Sequence, residues 1–79
     1  MGEGISARRR RGKAPESERE LLQRELQDTR LRLSQAYADF NFYSDPDLVD
    51  ACVYTINALR SRYSYLVRQA KRLEREAAG

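Results

Sequence analysis

From Leu22 onward the apolar positions keep a fixed rhythm: Leu22, Leu26, Thr29, Leu33, Ala36, Phe40 and Tyr43 follow one another at alternating steps of four and three. Steps of this kind track one face of an α-helix, and a run of them marks the seam along which a second helix packs. Thr29 is its one polar member. A second series, Val49, Cys52, Ile56, Leu59, Tyr63, Leu66, Ala70 and Leu73, runs at alternating steps of three and four, with no Gly or Pro between Asp47 and Ala78. Between the two series lies Ser44-Asp45-Pro46-Asp47. Pro46 disfavours helical geometry in the residue before it. Asp45 suits an N-cap, Pro46 the first helical position and Asp47 the first turn. At the other end, Ser17 and Glu20 have the spacing of a capping box. The pattern predicts helix one over about residues 17–41, a turn over 42–45 and helix two over about 46–77.

A link this short brings the second helix straight back along the first. The expected fold is therefore all-α: a two-helix antiparallel hairpin over residues 16–79, coiled-coil-like, crossing at roughly +20°. Residues 1–15 have no hydrophobic period, an Arg run, two Gly and a Pro, and are expected to form a disordered basic tail.

Both helices carry apolar residues away from the seam: Leu31, Ala38 and Phe42 on helix one, Ala51, Tyr54, Ala58 and Tyr65 on helix two. Scattered apolar groups on a surface are ordinary. A hairpin of this size, however, has a thin core with which to offset its ordering entropy. These seven residues are therefore the candidates for an interface, with another copy of the chain or with a protein partner, completing a four-helix arrangement.

Charge adds a second candidate surface. The net charge of +3 is segregated: residues 1–15 carry +4, residues 16–32 carry −1, residues 33–59 carry −4 and residues 60–79 carry +4. Arg8, Arg9, Arg10, Arg11 and Lys13 fall in the tail, and the hairpin returns Arg68, Lys71, Arg72 and Arg75 to the same open end. Such a cluster neutralises phosphates without reading sequence, so nucleic acid is a possible partner. No recognition motif accompanies it, and a solubilising role is the plainer alternative.

Other chemistry finds little support. There is no His, so the commonest general base and metal ligand is missing. Asp45, Asp47 and Asp50 lack the glycine and distal Glu of an EF-hand loop, and acidic residues at a helix start are expected from the macrodipole. No cofactor, metal, catalytic residue or small-molecule substrate is expected. The single cysteine, Cys52, sits on the seam, where a thiol behaves as a small hydrophobe, and precludes an internal disulfide. No apolar run approaches the ~18 residues of a membrane span, which points to a cytoplasmic protein. The opening MGEGIS fits the short N-myristoylation pattern, followed by basic residues, but a pattern this short matches by chance.

Residues 40–71, FNFYSDPDLVDACVYTINALRSRYSYLVRQAK, resemble the YaaL-like family of small bacterial proteins, mainly from Firmicutes and grouped as a domain of unknown function. The matching elements are Asp45-Pro46-Asp47-Leu48 with Asp50, then Tyr54, Ala58, Arg62-Tyr63, Tyr65-Leu66 and Ala70-Lys71. The resemblance implies a bacterial, cytoplasmic, helical protein, which argues against myristoylation, and it supplies no activity and no catalytic residues. The Arg-rich start lies outside it. The reading is a non-enzymatic helical interaction module, with a nucleic-acid-associated protein as the alternative.

Overall fold

The computed structural model describes residues 16–78, which form two helices: α1, Glu18–Phe42, and α2, Pro46–Ala78. The predicted tail, residues 1–15, lies outside the described residues. The start of α1 is the expected capping box. The Ser17 hydroxyl accepts from the Glu20 amide at 3.1 Å, and the Glu20 carboxylate accepts from the Ser17 amide at 3.0 Å. The reciprocal pair supplies acceptors that the first turn lacks.

α1 runs one residue further than its spacing predicts. Pro46 restricts only Asp45, its immediate predecessor, so Asn41 and Phe42 stay helical and the chain turns extended at Tyr43 (φ −81°, ψ 143°). The Tyr43 amide still donates to the Asp39 carbonyl at 3.0 Å. The start of α2 is then set by Asp45. Its carboxylate accepts from the amides of Asp47 at 2.9 Å and Leu48 at 3.4 Å, and its carbonyl accepts from Val49 at 2.9 Å. Asp45 is thus engaged in starting the helix, and Asp47 lies in its first turn.

Cross-helix contacts give the direction. Glu18 pairs with Arg72, Glu25 with Arg62, and Arg30 donates to the Tyr63 hydroxyl at 3.3 Å. The start of α1 thus meets the end of α2, while Glu25 and Arg30, further along α1, meet residues about a decade earlier in α2, so the helices are antiparallel. The buried residues are Leu22, Thr29 and Ala36 from α1, with Cys52, Ile56 and Leu66 from α2. Leu26, Leu33, Val49, Leu59, Tyr63, Ala70 and Leu73 are half-buried. All of these lie on the two predicted seams, Val67 being a half-buried apolar residue off them, and the expected all-α hairpin is the fold. Near the turn the seam opens, and Phe40 and Tyr43 are each 38% exposed. Thr29 is the most enclosed residue, at 1% exposure. Its hydroxyl donates to the Glu25 carbonyl one turn back at 2.7 Å, so a polar group sits in the core without an unmet bond.

Candidate interaction surface

With the seam residues written as positions a and d of a heptad, Leu22 and Cys52 are both d. The ion pair between Glu25 and Arg62 then joins two g positions, as antiparallel packing requires. This pair fixes which edges of the two helices meet. Leu21 and Tyr65, both c positions beside g, line one shallow groove with Glu25 and Arg62. Position c of α1 and position c of α2 therefore lie along the same edge of the hairpin.

The interface candidates divide on this register. Phe42, Ala51, Ala58 and Tyr65 occupy c positions and share that edge. Tyr54, at f, flanks it on the back of α2. Leu31 and Ala38, also at f, lie on the back of α1, facing away from α2, so one partner surface does not cover all seven. All are exposed, the large ones heavily: Phe42 at 80%, Tyr54 at 75%, Leu31 at 66% and Tyr65 at 51%. The Phe42 ring meets Tyr43 edge-on, with centroids 5.3 Å apart, which leaves most of it uncovered.

Two further exposed side chains extend this edge: Leu21 at c in the first turn of α1, and Leu48 at g in the first turn of α2. Neither falls on a seam. Leu21 shares its heptad position with Phe42 three heptads on, but that spacing gains meaning only once the edge is known. The opposite edge carries Tyr37 and Val53, with Arg30 and Arg60 beside them.

Charges along the candidate edge are paired within the chain. Glu25 holds Arg62, Glu18 holds Arg72, and Asp28 holds Arg32 at 3.1 Å one turn on. The Gln35 side-chain amide donates to Asp39 at 3.0 Å. Arg72 also reaches Glu76 at 3.0 Å. The hydrogen bond to Glu18, then that to Glu76, holds the Arg72 guanidinium above its ordinary pKa. Arg72 is thus already matched by carboxylates, which weakens it as a phosphate contact. Arg68, Lys71 and Arg75 are exposed along α2, with no ion pair among the described residues. Arg8, Arg9, Arg10, Arg11 and Lys13 lie outside the described residues.

Among the described residues, no group of three His, Cys, Asp or Glu side chains is placed to hold a metal ion. Cys52 is buried and free. No described helix is long and apolar enough to cross a membrane.

A family model described as "Protein of unknown function (DUF2508)" matches residues 5–76. The match extends past residues 40–71 at both ends and takes in the Arg run that the resemblance left out. No curated protein and no solved structure matches.

Proposed function

The chain belongs to the DUF2508 family of proteins of unknown function, and on that footing we propose that it is a non-enzymatic helical protein-interaction module. It acts by presenting the apolar edge of its hairpin to a second protein surface, either another copy or a partner. The observation that carries this reading is the set of large, exposed side chains on that edge, Phe42 and Tyr65, with Tyr54 beside them. A two-helix hairpin has no second layer to cover them, and large apolar side chains exposed along one edge are what a docked surface would bury. The ion pairs between these residues support it further, because a docked surface meets charges that are already neutralised. The YaaL-like resemblance, with the bacterial and cytoplasmic setting it implies, belongs to the same proposal.

Tyr54→Glu and Tyr65→Glu each place a charge where a partner must sit. Each is expected to weaken assembly or partner capture by at least about tenfold, roughly 1.4 kcal/mol, while deletion of residues 1–13 leaves it intact. Analytical sedimentation and pull-down from native cells provide the readouts. Arg68, Lys71 and Arg75, exposed and without an ion pair among the described residues, favour a second reading, a nucleic-acid-associated protein. That reading expects the deletion to abolish a steeply salt-dependent binding to DNA or RNA.

A further inference from the structure

Resting on the interaction reading above, we infer that the occupant of the apolar edge is a second copy of this chain, turned end for end about a two-fold axis beside Ala58. Three features of the edge point to this arrangement.

The first is the order of side chains along it. On α2 the c positions read Ala51, Ala58, Tyr65 and Arg72, two turns apart each, with Arg72 taken up by Glu18 and Glu76 of its own chain. Reversing a copy about Ala58 brings the two Ala58 methyls together and sets each Tyr65 ring over Ala51 of the other copy, large against small. An axis along the helices would instead lay α2 over α1 of the other copy and lose this matching. On α1 the c positions read Leu21, Asp28, Gln35, Phe42, and the same reversal sets Leu21 against Phe42 and Asp28 against Gln35. The cross-helix pairs Glu25–Arg62, Glu18–Arg72 and Arg30–Tyr63 place the midpoint of this row within about one turn of Ala58. Both rows therefore satisfy one axis.

The second is charge. Along α2 the turn end holds Asp47 and Asp50, and the open end holds Arg68, Lys71, Arg72 and Arg75 against Glu74 and Glu76. Reversal lays the acidic start of each α2 beside the basic end of the other copy's α2. The opposite edge is less suited, because a two-fold axis near its middle gathers Arg30 and Arg60 from both copies.

The third is size. Two helices side by side, each about 10 Å across and at least about 37 Å long, offer about 700 Å² per copy. Stable interfaces bury about 800 Å² per partner. A closed, self-complementary pair follows, the commonest form of soluble oligomer.

Single cysteines in a full-length Cys52→Ala background test the axis. Oxidised Ala58→Cys should form a covalent dimer on a non-reducing gel. Ala51→Cys alone should not, because its two copies sit about 21 Å apart along the helix, beyond the ~7 Å reach of a disulfide. Mixing Ala51→Cys with Tyr65→Cys should restore the crosslink. Circular dichroism confirms that each variant is helical, and sedimentation reports association independently of the thiols. Crosslinking by Ala51→Cys alone as strong as by Ala58→Cys overturns the axis beside Ala58. A dimer by sedimentation that no pair crosslinks places the interface elsewhere, which ends this inference and leaves the interaction reading standing. A monomer that still captures a cellular protein through Tyr65 does the same. A folded monomer that captures nothing ends both.

Discussion

Thr29 and Leu66 show what single side chains contribute to a core only one seam thick. Leu66 is 4% exposed, and Leu66→Ala is expected to cost about 2–4 kcal/mol through lost burial and the cavity left behind. Thr29 poses a different question, since its hydroxyl is buried but bonded to the Glu25 carbonyl of its own helix. That carbonyl lies in the helix ladder, so removing the hydroxyl orphans little. Thr29→Val should therefore hold stability or raise it by up to about 1 kcal/mol, whereas Thr29→Asp buries an unpaired charge and should unfold the chain. Thermal melts followed by circular dichroism separate the outcomes, and a clearly lower melting temperature for Thr29→Val would show that the hydroxyl stabilises the core. The seam position of Thr29 was legible from spacing alone. That it would be the most enclosed residue was not, because spacing orders residues around a helix without saying how closely the partner helix approaches each one.

At the scale of the element, the two helices are started by side chains and oriented by their register. Ser17 with Glu20, and Asp45 over Asp47 and Leu48, supply the acceptors of the two first turns. Asp45→Ala should lower stability by about 1 kcal/mol and Asp45→Asn by much less, since Asn caps equally well; urea midpoints at equal slope measure the difference. Equal losses would mean that charge rather than hydrogen bonding matters at this site. Both caps were readable in the sequence, being local motifs. The end of α1 was less so, since a proline constrains its neighbour and not the residues further back. The grouping of the off-seam residues could not be read from either helix alone. Leu31, Ala38, Phe42 and Tyr54 each depart from a seam, but only the meeting of Glu25 with Arg62 shows which departures share an edge. The first two face away on the back of α1, while Phe42 joins Ala51, Ala58 and Tyr65. That ion pair is exposed, and its worth to the fold is small, under about 1 kcal/mol. Its value here is as a marker of register.

At the scale of the whole molecule, the hairpin is a layer with one core seam and an uncovered apolar edge, acidic at its turn and, along α2, basic at its open end. An assembly joined end to opposite end should respond to salt. Raising ionic strength well above physiological values screens the attraction of the ends and is expected to weaken association modestly, because the apolar contact between Tyr65 and Ala51 persists. An association that strengthened with salt would contradict the charge argument while leaving an apolar contact in place. The melting temperature should also rise with protein concentration, since association stabilises only the folded form. The most direct measurement is sedimentation velocity of the full chain over a wide concentration range, with Tyr65→Glu alongside. The account predicts a dimer, twice the mass of the 9.2 kDa chain, that Tyr65→Glu returns to a folded monomer. A fully helical wild-type monomer up to about 1 mM, where even binding worth only about 4 kcal/mol would be half complete, would contradict it.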